Sequence, residues 1–188
     1  IKNKMAVPKN KYNFNTRTIH AGSAPDPVTG ARSTPIYQTT SYVFDSTEHA
    51  ASLFNLQNFG FIYGRLTNPT VSVLEERLAN LENGRAAVAC STGHAAQILA
   101  LHPLLKPGDK IIASKNLYGG SITQFSHTFK KFGWGVDFVD GTNVNNIKKI
   151  INPMHKCIFI ESLSNPGGVI LDIEKISKVT KKLKTKKK

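Results

Sequence analysis

Two short segments of the sequence combine residue types that bind a phosphate ester. Residues 63–70 place Arg65 beside Tyr63, and residues 91–96 place small side chains just before a helical pattern. An arginine fork and the free N–H groups at a helix start both favour a phosphate anion. The two segments together predict a phosphorylated cofactor.

The first segment offers side chains to this anion and the second offers backbone amides. Tyr63 and Arg65 lie two residues apart in a predicted extended segment, which directs both side chains to one phosphate. A structural ion pair of Arg65 is the alternative. Gly93, two residues after Ser91, allows a close backbone approach and aims its own amide and that of His94 at an anion. We expect the amide of His94 to matter and its side chain not to. A tight turn without a ligand is the alternative for this second segment.

Polar or aromatic residues also follow two predicted strands farther along the chain. Tyr118, with two glycines after it, can stack on a planar heterocycle or pack as a surface aromatic. Asn165 lies in a polar loop that begins at Glu161. Because ligands of open α/β sheets lie outside the carboxyl ends of the strands, we expect Ser91, Tyr118 and Glu161 or Asn165 to converge at one edge.

The elements that position these residues alternate between strand and helix patterns. Such alternation predicts an α/β fold, with a mostly parallel sheet and covering helices. The predicted strands cover residues 86–90, 110–114, 136–139 and 156–161, and the predicted helices cover residues 69–83, 93–105, 121–132 and 144–151.

The two ends of the chain differ from this α/β region. Prolines and glycines punctuate residues 1–62, which predicts an extended arm with one short helix, for which residues 45–48 offer capping side chains. Residues 63–179 form the predicted α/β domain. Residues 180–188 are a lysine-rich tail of low complexity, which we expect to fray.

The net charge of +13 is concentrated at the two ends of the chain. Residues 1–17 carry five basic side chains, and residues 174–188 carry eight lysines and one glutamate. Taking these from the totals of 25 basic and 12 acidic residues leaves 12 basic and 11 acidic residues in between. The lysine tail also lacks interleaved aromatic residues, so nucleic-acid binding is not expected.

Composition predicts a soluble globular protein, since 40% of the 188 residues are apolar. Polar residues interrupt the longest apolar stretch, residues 86–105, so we expect no membrane span. No apolar core follows the basic N-terminal residues, which predicts a cytoplasmic protein. Cys90 and Cys157 lie in apolar runs and are expected to be buried without chemistry, and no metal site is expected.

Several blocks of sequence resemble the N-terminal part of the Cys/Met-metabolism family of pyridoxal-phosphate enzymes, and most closely its O-acetylhomoserine sulfhydrylase branch. These blocks are residues 18–22, 34–42, 63–70, 91–97, 117–120 and 161–166. The resemblance covers residues 14–179. It implies an N-terminal arm and the first half of a fold similar to the type I aminotransferases, with pyridoxal 5'-phosphate as the cofactor.

The resemblance also implies which residues hold the cofactor phosphate. Gly93 and His94 would bind it through their backbone amides, in the turn that contains Ser91. Tyr63 and Arg65 would reach the phosphate in a neighbouring subunit. Family members usually form dimers of dimers with shared active sites, which implies a homo-oligomer.

Two further roles are implied for the cofactor ring. Tyr118 would stack on the pyridine, and Asn165 would lie near the ring hydroxyl, in a loop shaped by Glu161 and Ser162. The implied substrate is an amino acid, O-acetylhomoserine, whose acyl group is replaced by sulfide or a thiol in methionine and cysteine metabolism. Methionine γ-lyase and cystathionine γ-synthase chemistry stay open as alternatives.

The family pattern goes on to residues that this sequence does not contain. They are an aspartate for the pyridinium nitrogen, the Schiff-base lysine and an arginine for the substrate carboxylate. None of the 20 lysines has a matching context. We therefore expect an incomplete cofactor domain in a truncated family member that is inactive alone. The alternatives are one half of a split enzyme, completed by a C-terminal polypeptide, and a non-catalytic fragment that binds an anion or nucleic acid.

Overall fold

The structure, a computed structural model, describes the backbone of residues 12–185 and the side chains of residues 12–180. The chain divides into two compact units, Ile1–Ala89 and Cys90–Lys188. The sequence suggests different boundaries, after residues 62 and 179, which separate an arm, a cofactor-binding domain and a tail. These boundaries stay predictions.

The described residues of the first unit, 12–89, contain three helices: α1 (Phe14–His20), α2 (Thr47–Phe54) and α3 (Pro69–Leu81). The predicted capping of α2 is confirmed, because the Ser46 hydroxyl accepts a hydrogen bond from the His49 amide. Asn68 caps α3 in the same way. The helix ends two residues before the predicted residue 83, because Asn83 takes a left-handed φ of 54°. Helix α1 lies in the predicted arm in addition to the one helix expected there.

Residues 18–22 connect α1 to α3 by close packing. Ala21 is fully buried, and the Arg77 Nε donates a hydrogen bond to the Ala21 carbonyl oxygen at 2.9 Å. Gly22 has a φ of 74°, and a Cβ there would lie 2.6 Å from the Val73 carbonyl oxygen. This conformation and this spacing require glycine. The block thus serves the packing of the first unit.

The prediction of a strand at residues 86–90 is wrong. Among the described residues this segment joins no sheet, and the Ala89 amide donates instead to the Glu75 carboxylate at 2.7 Å. A strand needs a neighbouring backbone for its hydrogen bonds, and none of the described segments supplies one. Cys90 is consequently exposed, contrary to prediction, whereas Cys157 is half-buried.

A parallel three-stranded sheet organises the second unit and confirms the predicted α/β class. Its strands are β1 (Lys110–Ser114), β2 (Gly135–Val139) and β3 (His155–Phe159), in the order β2-β1-β3. The prediction for β1 matches its bounds, β2 begins one residue earlier than predicted, and β3 is shifted toward the N-terminus.

The helices of the second unit up to residue 150 follow the predicted positions with local changes. They are α4 (Gly93–Leu101), α5 (Gly119–Thr123), α6 (Phe129–Lys131), α7 (Val144–Ile150) and α8 (Ile173–Thr185). A 3₁₀ turn, His102–Leu104, replaces the predicted end of α4, where Pro103 cannot donate a helical hydrogen bond. A π-helical turn, Gln124–Thr128, joins α5 to α6.

Two hydrophobic cores cover the opposite faces of the sheet. The first contains residues of α4, β1, the π turn and α6 together with Trp134, and Cys157 packs against it. The second contains residues of β1, α7 and α8 together with Leu171. Helix α8 was not predicted, and its backbone continues to Thr185, past the predicted start of the lysine tail at residue 180. The last three tail residues lie outside the described part.

A charged network joins the first residues of β1 and β3 to the middle of β2. The His155 Nε2 lies 2.9 Å from the Asp137 carboxylate, and the Lys110 Nζ lies 3.3 Å from the same group. The other ring nitrogen of His155 accepts the Asn152 amide at 3.1 Å, which assigns the proton to Nε2. The His155 side chain is only 1% exposed, whereas those of Lys110 and Asp137 are 34% and 36% exposed, so the network runs from the interior to solvent.

Every helix in the described part of the chain is too short or too polar to span a lipid bilayer.

Candidate functional site

The candidate site lies at the carboxyl ends of β1 and β3. The chain leaves β1 toward α5 and α6, whose Phe129 packs in the first core. It leaves β3 toward α8, whose Ile176 packs in the second core on the opposite face. Neighbouring parallel strands whose connections diverge in this way open a crevice at their carboxyl ends, where ligands of α/β proteins bind.

Tyr118 and His94 form one wall of this crevice. Their rings are stacked, with centroids 5.9 Å apart and an interplanar angle of 28°. Tyr118 precedes the first residue of α5, and His94 is the second residue of α4, so two helix starts meet here. The residue Tyr118 is 49% exposed, which leaves part of its ring open to a ligand. That the His94 side chain takes no part in ligand binding stays a prediction, although its ring stacks on that of Tyr118.

Gly120 allows the two rings to approach each other. A Cβ at this position would lie 2.5 Å from the Tyr118 Cε1 and 2.7 Å from the His94 Cε1. The neighbouring Gly119 and the helix-start residue Gly93 have open space around the same position. The crevice is therefore closely packed where Gly120 meets the two rings and open around Gly93 and Gly119.

The start of α4 presents backbone amides to the crevice. The Thr92 hydroxyl caps the helix by accepting the Ala95 amide at 3.1 Å. The first amides of a helix have no intrahelical acceptor, so those of Gly93 and His94 are left for a ligand. Ser91 lies in the exposed turn just before the cap. The second predicted segment thus has the geometry of an anion site.

Glu161 joins the loops that follow β1 and β3. Its Oε1 accepts the Tyr118 amide at 3.0 Å, and its Oε2 accepts the Asn165 amide at 3.2 Å. The predicted convergence of Tyr118 with Glu161 and Asn165 is therefore present as hydrogen bonds. The Asn165 side chain is on the exposed side of its loop, next to the buried Ser164.

Polar side chains between α4 and the helix after β1 hold the wall in place. The Gln97 Nε2 donates to the Ser121 hydroxyl at 2.7 Å, and the Gln124 Nε2 donates to the His94 carbonyl oxygen at 3.1 Å. The π turn that contains Gln124 is a local widening of the helix, of a kind often found at functional sites. Sequence reasoning gave none of these three residues a role in the site, and helical periodicity does not reveal the π turn that directs Gln124 to α4.

Tyr63 and Arg65 lie in the first unit. The predicted extended conformation is wrong, because the amides of Leu66 and Thr67 both bond to the Tyr63 carbonyl oxygen in a turn. The Arg65 guanidinium nevertheless lies over the Tyr63 ring, with its carbon 5.4 Å from the ring centroid. The ion pairs of the described residues do not include Arg65, so a structural ion pair is not its role there.

Charged and nucleophilic groups around the crevice are occupied or inert. Lys115 pairs with Asp140 at 3.4 Å on the β2 side of the sheet edge. Hydrogen bonds from Thr142 and the pairing with Lys115 hold the pKa of Asp140 below its usual value. Burial raises the pKa of the Cys157 thiol to about 11, so it stays protonated near neutral pH. The described residues contain no group of three or more histidine, cysteine or acidic side chains that is placed to hold a metal.

Comparison with known proteins identifies the class that this fold and site define. Residues 15–187 match the family model described as "Cys/Met metabolism PLP-dependent enzyme", and the chain belongs to this family. The family uses pyridoxal phosphate, which agrees with the anion site at α4 and the exposed ring of Tyr118.

Within this family, individual relatives are O-acetylhomoserine sulfhydrylases. The chain is 46% identical over 178 residues to the O-acetyl-L-homoserine sulfhydrylase of Leptospira meyeri, covering 95% of this chain and 40% of that protein. It is also 46% identical to O-acetyl-L-homoserine sulfhydrylase 1 of Thermus thermophilus, covering 89% of this chain and 40% of that protein. The chain is thus a partial homologue of the O-acetylhomoserine sulfhydrylases.

Solved structures confirm the predicted partial fold. A crystal structure from Campylobacter jejuni, described as an O-acetylhomoserine (thiol)-lyase with a pyridoxyl-lysine monophosphate, matches with a TM-score of 0.84 and 43% identity. That match covers 91% of this chain and 42% of the other. The metB structure from Corynebacterium glutamicum also gives a TM-score of 0.84, at 33% identity, covering 94% of this chain and 44% of the other. The chain spans about two fifths of the length of the relatives it matches.

Proposed function

We propose that the crevice at the carboxyl ends of β1 and β3 binds pyridoxal 5'-phosphate. The observation that carries this proposal is the half-exposed Tyr118 ring, backed by His94 at the start of α4. A ring that is fixed on one side and open on the other suits stacking on a pyridine. The free amides of Gly93 and His94 suit a phosphate next to that ring.

The chemistry of the residues present suits the cofactor. The open space around Gly93 and Gly119 leaves room for a group above the helix start. In this proposal Ser91 lies beside the phosphate, and Asn165 contributes its amide side chain near the ring hydroxyl. Family relationship and this geometry support these roles together.

Tyr63 and Arg65 form a preassembled pair for the phosphate of a neighbouring subunit in this proposal. Their contact in one turn keeps the guanidinium beside the phenol ring. An arginine binds phosphate with two parallel hydrogen bonds, and an adjacent tyrosine hydroxyl can add a third. Such sharing would make a homo-oligomer, a dimer of dimers, the working form.

We propose that the protein to which these residues belong replaces the acyl group of O-acetylhomoserine with sulfide or a thiol. The names of the relatives with 46% identity support this substrate over the γ-lyase and γ-synthase alternatives. The cofactor, when bound, supplies the electron sink for bond breaking at the substrate's β- and γ-carbons. The described residues bind and orient it. A cytoplasmic location stays a prediction of the sequence.

The group that bonds covalently to the cofactor is expected to come from elsewhere. Lys115, the lysine nearest to Tyr118 in sequence, pairs with Asp140. We therefore propose that residues beyond these 188, in the same or a second polypeptide, complete the site, and that these 188 residues alone do not turn over substrate. The anion or nucleic-acid alternative is less well supported, since Lys175 pairs with Asp172, just before α8, and Lys178 pairs with Glu174 in α8.

The experiment is a binding titration with pyridoxine 5'-phosphate, which has no aldehyde to react with the chain's lysines. Pyridoxine without the phosphate is the ligand control, and we expect it to bind at least tenfold more weakly, because it cannot use the amides of α4. Tyr118→Ala should weaken binding of the phosphate ester about tenfold, and Phe59→Ala, which removes a fully exposed ring, should not. The proposal would be contradicted if the two ligands bound equally, or if Tyr118→Ala bound the phosphate ester as tightly as the parent.

A further inference from the structure

Glu161 connects two loops that are distant in sequence. Tyr118 lies 43 residues before it and Asn165 four residues after it, yet the two carboxylate oxygens accept the backbone amides of these two residues. Each oxygen serves one loop. The carboxylate is therefore a bridge across the crevice between β1 and β3.

The Glu161 carboxylate forms this bridge without an ion-pair partner among the described residues. The ion pairs of the described residues do not include Glu161, and its polar partners are the two amides. Hydrogen bonds to an ionised carboxylate are stronger than those between neutral groups. The arrangement thus holds the backbone of both loops without fixing either side chain directly.

We infer that Glu161 is a positioning residue that sets the Tyr118 ring and the Asn165 side chain at one mutual distance. This inference rests on the proposed function, in which these two side chains contact the same cofactor ring. His94 and Gly120 restrict the Tyr118 ring from one side, and Glu161 restricts its backbone from the other. A ligand ring then meets the Tyr118 ring and the Asn165 side chain at positions that are already fixed.

A carboxylate suits this role better than an amide side chain of the same size. Glutamine has one acceptor oxygen, and its NH₂ group would face the second backbone N–H as donor against donor. Glu161→Gln should therefore lose one of the two bonds, and Glu161→Ala should lose both. Glu174→Gln is the matched control, because it makes the same charge change at an exposed position of the same unit.

The test measures amide hydrogen exchange of the full chain by NMR spectroscopy, without any ligand. We expect exchange at the Tyr118 or the Asn165 amide to become about tenfold faster in Glu161→Gln, and at both amides in Glu161→Ala, with the sheet amides unchanged. The fluorescence of Trp134, which is buried in the first core, reports whether each variant folds. If the alanine variant fails to fold, the glutamine variant alone decides.

A second measurement separates this inference from the proposed function. Affinity for pyridoxine 5'-phosphate should fall about tenfold in Glu161→Gln and stay unchanged in Glu174→Gln. Faster exchange in a chain that never binds the ligand would refute the proposed function and leave the bridge between the loops in place. Unchanged exchange at both amides would overturn the bridge, even where the parent chain binds the ligand. Faster exchange with unchanged affinity would overturn the positioning role.

Discussion

The imidazole of His94 lies nearly parallel to the phenol ring of Tyr118, with the ring centroids 5.9 Å apart. The amide of His94 faces the phosphate side of the proposed site, and its side chain faces the stacking residue. One residue therefore contributes to both halves of the crevice, through different atoms.

This double role predicts a partial loss of binding in His94→Ala. The backbone amide stays, so the phosphate contact survives, but Tyr118 loses its backing ring. Aromatic pairs contribute about 0.5–1.5 kcal/mol, which corresponds to roughly a two- to twelvefold weaker affinity for pyridoxine 5'-phosphate. His127→Ala, which removes an exposed imidazole, is the control and should bind like the parent. A complete loss in His94→Ala would show that the side chain does more than support the ring.

The two adjacent glycines of the crevice are predicted to respond differently to alanine. Gly120→Ala places a methyl group within 2.5–2.9 Å of the Tyr118 and His94 rings, so the rings must separate. We expect a stability loss of about 1–3 kcal/mol in urea unfolding and weaker ligand binding. Gly119→Ala meets no atom within 4 Å and should be close to neutral. Equal behaviour of the two variants would contradict the described ring geometry.

The half-buried network at Asp137 predicts a loss of stability in acid. Burial raises the pKa of Asp137, but hydrogen bonds from His155 and Lys110 outweigh it, and the pKa lies below the ordinary 3.8. A carboxyl whose folded-state pKa is lowered stabilises the fold above its unfolded-state pKa. That contribution is lost as the pH falls through the folded-state value.

The measurement for this network is urea unfolding at pH 7 and at about pH 3. Asp137→Ala should lose about 1–3 kcal/mol at pH 7, because it leaves the buried His155 N–H without an acceptor. The difference from the parent should shrink in acid. Asp45→Ala, at a carboxylate that is 93% exposed, should show neither effect. A constant difference at both pH values would argue against the network.

The two cysteines are predicted to react at different rates. Cys90 is exposed, whereas burial raises the pKa of Cys157 to about 11. The thiolate is the reactive form, so a thiol reagent at pH 8 should label one cysteine quickly and the other slowly. Cys90→Ser should abolish the fast phase, and Cys157→Ser should leave it. A fast phase that persists in Cys90→Ser would place Cys157 at the surface.

Reductive trapping with pyridoxal 5'-phosphate is predicted to give no single labelled peptide. The described site presents no lysine to the crevice, and Lys115 is paired with Asp140. Borohydride reduction followed by peptide mapping should find low labelling spread over many of the 20 lysines. One dominant adduct would overturn the expectation that the bonding lysine lies outside these residues.

Sequence reasoning located the sheet well where the signals were local. The apolar run of β1, which ends in polar residues, predicted its bounds, and the resemblance indicated Tyr118, Gly93 and His94 as one site. The strand expected at residues 86–90 failed because strand formation depends on a partner segment, which no local pattern encodes. The bridging role of Glu161 was also invisible, since it depends on a residue 43 positions away.

The π turn at Gln124–Thr128 lets one helical segment serve both the site wall and the hydrophobic core. In a regular α-helix an inserted residue rotates everything after it by about 100°, whereas a π turn absorbs the extra residue locally. Ser121 and Gln124 thereby meet α4 while Phe125 and Phe129 fill the core. A further inserted residue that stayed α-helical would rotate Phe129 by about 100° away from that core.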